Sequence, residues 1–325
     1  MKIGVTGATG FIGSHLVEAL IREGHQPVCL IRKTSNLHWL PKTGIQFRMG
    51  DLRDPETLRI FVTGLDAIIH LAGVTKARNE AEYLEGNYQA TVNLIEAVRK
   101  YNSNLKRFLH ASSQAAIGPS LDGIPLTEDA PPHPVSAYGR SKLKTEYFLK
   151  NQQDLPITII RPPAVYGPRD RDVFAAFKMC HSGILPIVGK NKYLSLVFVQ
   201  NLIKGILLAF GNPQAIGKAY FFSDGSIFTW ETLMDWIADS LDKHPLSIHI
   251  PEKLLIIPAE ISGLIGRILN RPMLLNREKI MEIKPKYWTV DITRAKTELG
   301  YQPDFTTQEA IRLTAKWYLD NGWLS

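Results

Sequence analysis

Cysteine is nearly absent from this chain. Cys29 and Cys180 are the only two in 325 residues, too few for a disulfide framework, and the expectation is a protein of the reducing cytoplasm. Long apolar runs are missing too. The longest, Leu254 to Leu269, is interrupted by Pro258, Glu260 and Arg267 and falls short of the about 20 residues a membrane span needs. Met1 leads straight into a strand pattern with no charged leader, apolar segment or cleavage site, so neither a secretory signal nor membrane insertion is expected. The nine histidines form no HExxH motif and no Cys/His cluster at metal-ligand spacing, so no metal site is expected. No Gly-x-Ser-x-Gly elbow points to a hydrolase, and no Gly-Lys-Ser/Thr ends a glycine loop as in a nucleotide triphosphatase. The formal charge of +7 is spread along the chain without a nucleic-acid module, so no nucleic-acid partner is expected.

What is present is a β/α rhythm. Strand patterns run Lys2 to Thr6, Gln26 to Arg32, Ile45 to Met49, Asp66 to Leu71, Lys106 to Ala111 and Ile157 to Arg161, with helical patterns near 11–23, 55–63, 81–101 and 136–153. Runs such as Ile68, Ile69 and Leu71 are apolar without alternation, as strands covered on both faces must be. The fold class expected is therefore α/β: a doubly wound parallel Rossmann sheet with a smaller mixed α/β C-terminal substrate domain. The rhythm breaks at Pro162 and Pro163. Residues 1–161 plus about 194–211 are assigned to the nucleotide-binding domain, and 162–193 plus 212–325 to the substrate domain.

Between the first strand and first helix stands Gly7-Ala8-Thr9-Gly10-Phe11-Ile12-Gly13. Small residues there let the backbone approach a pyrophosphate, and the helix N-terminus offers it free N–H groups and partial positive charge. Past the second strand come Arg32, Lys33 and Ser35 with no nearby carboxylate, which favours NADP over NAD because a cation accommodates the 2′-phosphate. Asp51, after the third strand, is a candidate for the adenine amino group or for a turn.

Tyr138 and Lys142 lie four residues apart, on one face of a helical pattern, where an ammonium could help a phenol act as a base. They follow a strand that ends in Ser112 and Ser113. With the glycine loop, Gly50-Asp51-Leu52, His70-Leu71-Ala72-Gly73, Asn87 to Thr91 and Arg161-Pro162-Pro163-Ala164-Val165-Tyr166-Gly167-Pro168, the chain resembles the extended short-chain dehydrogenase/reductase family, in particular its NAD-dependent epimerase/dehydratase branch. The resemblance implies an oxidoreductase in which Tyr138 is the general acid/base, Lys142 holds the nicotinamide ribose and lowers the tyrosine pKa, and Ser113 hydrogen-bonds the reacting oxygen. It also implies that Leu52, Leu71, Ala72, Gly73 and Pro162 line the cofactor path, that Asn87, Arg169 and Arg277 belong to the substrate side, and that the protein is a homodimer.

The substrate expected first is a nucleotide-linked sugar undergoing epimerisation, dehydration or reduction. A cationic stretch that includes Arg267, Arg271 and Arg277 suits its diphosphate. Two departures point elsewhere. Sugar enzymes of the family carry an asparagine shortly after the arginine of the sixth strand, but Arg161-Pro162-Pro163-Ala164 holds none, and Asn201 stands where many carry an aspartate, features shared with a 3β-hydroxysteroid dehydrogenase branch. A hydrophobic-alcohol dehydrogenase is thus the second expectation, and a non-catalytic NADP sensor the third.

Overall fold

The computed structural model describes residues 1–189, 191–250 and 277–324. Strands β1 Lys2–Thr6, β2 Gln26–Ile31, β3 Gln46–Met49, β4 Ala67–His70, β5 Arg107–Ala111 and β6 Ile157–Ile160 pair in parallel, each run of the sequence pattern forming a strand. A seventh strand, Ala219–Tyr220, joins β6, and the order across the sheet is Ala219–Tyr220, β6, β5, β4, β1, β2, β3. Successive side chains leave opposite faces of a strand. Ile68 and Phe108 therefore enter one core with Phe61, Leu94 and Leu149, while their neighbours Ile69 and Leu109 enter the other with Leu16 and Ile206. Both faces being covered explains why the strands lack polar alternation.

Helices α1 Phe11–Arg22, α2 Pro55–Val62, α3 Glu80–Tyr83, α4 Ala90–Tyr101 and α5 Ala137–Lys150 provide the covering layers. The α2 terminus is capped by Asp54, whose side chain accepts from Glu56 N, with Pro55 in the first turn where its missing N–H costs nothing. Between α3 and α4 the chain is not uniform α-helix but a π-helical stretch, Leu84–Gln89, carrying Asn87. The order reverses between β1 and β4, which opens a crevice at the carboxyl ends of these strands.

The later elements lean on this frame. Strand Ala164–Tyr166 pairs with Leu196–Phe198 off the central sheet, and the helix that follows, Val199–Gly211, packs on α1. The segment assigned at 194–211 thus contributes its helix, not its strand, to the first layer structure, and the chain returns to the sheet at Ala219–Tyr220. Strands Ile184–Val188 and Leu246–Ile250 form a parallel pair, and Tyr193–Leu194 lies between Phe228–Thr229 and Tyr287–Trp288. The apolar stretch Leu254 to Leu269, with Arg267 and Arg271, lies outside the described residues; Arg277 opens the helix Arg277–Ile283, and its side chain is outside them as well. Among the described residues no helix is long and apolar enough to cross a membrane.

Candidate active site

At the β1–α1 junction the backbone itself forms the surface. Gly7 has φ of 72°, and a Cβ there would lie 2.7 Å from Ala72 N; a Cβ at Gly13 would lie 2.1 Å from Gly7 O. Both positions therefore require glycine. Gly10 caps α1 without a side-chain acceptor, and its N–H donates to Gly7 O at 3.0 Å. The N–H groups of the first turn remain free for a ligand, flanked by half-buried Thr9, Phe11 and Ile12. This cradle fits the pyrophosphate of a dinucleotide.

The strand ends next to it carry charge. Arg32 and Lys33 are exposed just beyond β2, and the Ser35 hydroxyl accepts the Arg32 N–H at 2.9 Å. Asp51 is held by Arg53, whose Nε and Nη2 donate to its two oxygens at 3.1 and 2.8 Å and whose backbone N–H donates as well. These bonds hold the Asp51 carboxyl down at about 2, with Arg32 adding to the effect. Asp51 is thus a turn former in this structure, and Arg53, two residues on, is a further cation that sequence reasoning missed. Leu52 is half-buried against the α2–α4 core, and its carbonyl accepts Asn93 Nδ2 at 2.9 Å.

The reacting end is built on α5. Ser136 caps it, accepting the Gly139 N–H at 3.1 Å, and so sets where Tyr138 and Lys142 emerge. The Ser113 hydroxyl accepts Ala115 N at 3.1 Å and lies near enough to the Tyr138 phenol to favour its ionised form. Burial pushes the phenol up to about 12; Ser113 opposes this, while Glu282 and Tyr83 add to it. Lys142 is 4% exposed and donates from Nζ to Ala111 O at 2.8 Å. Burial lowers its ammonium to about 8, against the pull of Glu146. A Cβ at Gly73 would lie 2.9 Å from Asn87 Oδ1 and 3.3 Å from Lys142 Nζ, so the loop Leu71-Ala72-Gly73 runs directly over the lysine. Thr6 anchors that loop, its Oγ1 accepting Ala72 N at 3.2 Å and bonding His70 Nδ1 at 2.6 Å.

The remaining residues divide. Pro162 is buried at the end of β6, with its carbonyl accepting Gln114 N at 2.9 Å, next to the Ser113 turn. Asn87 is 2% exposed and fully engaged: Oδ1 accepts Val74 N at 2.7 Å, and Nδ2 donates to Val74 O at 3.1 Å and Ser141 Oγ at 2.9 Å. It locks the Gly73 loop to α5 from within the π-helical stretch, where such wide turns recur at functional sites. Arg169 turns to α1, donating to Ser14 Oγ at 3.1 Å and Glu18 Oε1 at 2.7 Å and lying over the Trp39 ring, so the reacting centre does not receive it. Glu278 was not anticipated. Its carboxylate accepts the Ala137 N–H across 141 residues, which no sequence spacing announces, and Glu282 follows one turn later.

With this geometry in hand, the comparisons are direct. Residues 3–222 match the model of the NAD-dependent epimerase/dehydratase family. The chain is 27% identical to a ceramide reductase of Caulobacter vibrioides over 99% of its own length and 96% of the relative's. It is 28% identical to a UDP-glucose 4-epimerase of Vibrio cholerae, over 97% of this chain and 94% of that one. The crystal structure of a UDP-glucose 4-epimerase from Thermotoga maritima shares the fold, with a TM-score of 0.82, 24% identity and 99% of both chains covered. The chain belongs to the NAD-dependent epimerase/dehydratase family, an enzyme family of the extended short-chain dehydrogenase/reductases.

Proposed function

We propose that this protein catalyses hydride transfer at the carbinol carbon of a small-molecule secondary alcohol, or at the corresponding ketone, with NADP as cofactor. The observation that carries it is the grouping at one end of α5: Tyr138 with Ser113 near its phenol, and one turn on a buried Lys142 whose ammonium donates to Ala111 O and lies against the Gly73 loop. A bound nicotinamide dinucleotide supplies the hydride donor or acceptor. Gly7, Thr9, Gly10, Phe11, Ile12 and Gly13 hold its pyrophosphate, Arg32 and Lys33 its 2′-phosphate, Leu71, Ala72, Gly73 and Pro162 its path, and Lys142 its ribose. Ser113 donates to the reacting oxygen, and Tyr138 gives or takes the proton at that oxygen.

Of the two substrate classes, a hydrophobic alcohol or ketone has the better support. The stretch Arg161-Pro162-Pro163-Ala164 lacks the amide that sugar enzymes carry there, and Ala164 within it is exposed. Glu278 and Glu282 bring carboxylates to the N-terminal end of α5, an unfavourable border for an anionic ligand. Arg140 and Arg169 are committed to Glu80 and to Ser14 and Glu18, not free to clamp a diphosphate. Similarity to a ceramide reductase agrees. The nucleotide-linked sugar keeps its support in the similarity to a UDP-glucose 4-epimerase and in the cationic stretch with Arg267, Arg271 and Arg277, which the described residues do not test. Thermal stabilisation of NADP-loaded protein separates the classes, because a ligand selective for the native state raises its stability. Long-chain ketones and sterols are expected to stabilise and UDP-sugars not to; the reverse pattern returns the substrate to the sugars. Dimerisation through the helical stretches near 81–101 and 136–153 is part of this reading, as is a reducing cytoplasm, which suits two buried free thiols. Sedimentation as a monomer at micromolar concentration removes the dimer.

A further inference from the structure

Glu146 lies on α5 one turn beyond Lys142 and two beyond Tyr138, and its side chain is fully buried. Its carboxylate collects four donor contacts. Arg161 Nε approaches Oε1 at 3.0 Å and Oε2 at 3.2 Å, Arg161 Nη2 donates to Oε2 at 2.6 Å, and Ser112 Oγ donates to Oε1 at 2.5 Å. Arg161 is 1% exposed and uses Nη1 on Glu128 O at 2.7 Å. These partners are not scattered. Ser112 immediately precedes Ser113 at the end of β5, and Arg161 immediately precedes Pro162 at the end of β6.

We infer that Glu146 is a positioning residue: its carboxylate ties the helix of Tyr138 and Lys142 to the strand ends that carry Ser113 and Pro162, and sets a negative charge one helical turn from Lys142. The inference rests on the reading that these groups form the reacting site. A buried ion pair is not needed for stability alone, since an apolar pair of similar volume often serves as well. What an apolar pair lacks is the charge. Lys142 is buried, and Glu146 is the charge that opposes its loss of a proton. The other titratable groups around it do not help. His70 on β4 and His110 on β5 are buried, and the lysine charge itself presses both further towards the neutral form; the Asn87 amide is uncharged. Without Glu146 the lysine has burial against it and the unpaired Arg161 cation nearby.

The test is a pH titration of full-length, NADP-loaded protein labelled with 13C at lysine Cε, with the Lys142 resonance assigned by its loss in Lys142→Met. In Glu146→Gln the Lys142 midpoint is expected to fall by about one pH unit, as removal of one partly screened charge a helical turn away requires. Glu146→Asp keeps the charge and is expected to restore most of it. If Glu146→Gln does not fold, Glu146→Met with Arg161→Met removes the pair together, and a fall in the same direction is expected, smaller because the Arg161 cation goes with it. A midpoint within about 0.2 unit of wild type in the folded charge-free variant overturns the inference, as does an equal fall in Gln and Asp. The titration needs no substrate. A protein that turns over no carbonyl thus refutes the proposed function and leaves this result standing.

Discussion

Replacing Gly13 by alanine tests the cofactor cradle at its tightest point. The added Cβ would lie 2.1 Å from Gly7 O and 2.8 Å from Ala8 Cα, and both are backbone atoms that no rotamer change can move. Reaching ordinary contact at 3.4 Å requires about 1.3 Å of displacement between α1 and the loop that precedes it. Overpacking of this kind costs about 1 to 3 kcal/mol of stability. The displaced N–H groups are those that would face the pyrophosphate. Losing one charge-assisted bond costs about 1.5 to 3 kcal/mol, so the NADP dissociation constant is expected to rise roughly ten- to a hundredfold. Gly10→Ala is the control, because its Cβ would sit 3.2 Å from the same Gly7 O and calls for an adjustment of only a few tenths of an ångström. Calorimetric titration of NADP against wild type and both variants, with melting curves alongside, gives the answer. Gly13→Ala protein that binds within about threefold of wild type and melts at the same temperature refutes the assignment of this loop, since a shift of that size cannot leave charge-assisted bonds intact.

Tyr138→Phe keeps the ring and removes the proton-transfer group, so turnover of any substrate found is expected to fall at least a hundredfold with NADP affinity nearly unchanged; steady-state rates and a cofactor titration read the two separately. Burial holds the Lys142 ammonium down at about 8, and ribose hydroxyls and phosphates favour its charged form. NADP binding should therefore weaken as pH rises through 8 in wild type and stay level in Lys142→Met, which affinities measured from pH 7 to 9.5 check. The same lysine makes a stability prediction. Its folded pKa is lowered from 10.5, so the unfolded chain binds the extra proton between about 8 and 10.5, and this group adds stability as pH rises through that window, visible as a wild-type slope absent in Lys142→Met. Arg32→Asp should shift preference from NADP towards NAD, and titration of both cofactors against both proteins decides it.

How much of this could be read from the chain depends on the range of the interaction. The sheet was legible because each strand carries its burial locally: Ile68 and Ile69 are apolar in succession only because both faces are covered. The glycine cradle, Gly7 to Gly13, was legible in part for the same reason, since Gly13 is confined by Gly7 O and Ala8 Cα in the same loop, whereas Gly7 is confined by the distant Ala72. Four-residue spacing set Tyr138 and Lys142 on one helix face. Pairings across the chain were not legible. The resemblance puts Arg169 on the substrate side, whereas Ser14 and Glu18 claim it from 155 and 151 residues away. The strand Ala219–Tyr220 is two residues long, and an edge strand that short leaves no period to detect. The tyrosine shows the limit most sharply. YxxxK predicts a phenol eased towards ionisation, yet burial drives Tyr138 up to about 12, away from neutral pH. Residue type and spacing identify the group that must ionise; the cost is set by Glu282, Tyr83 and the enclosing walls, and so the cofactor's positive charge and Lys142 together must supply more than the motif alone suggests.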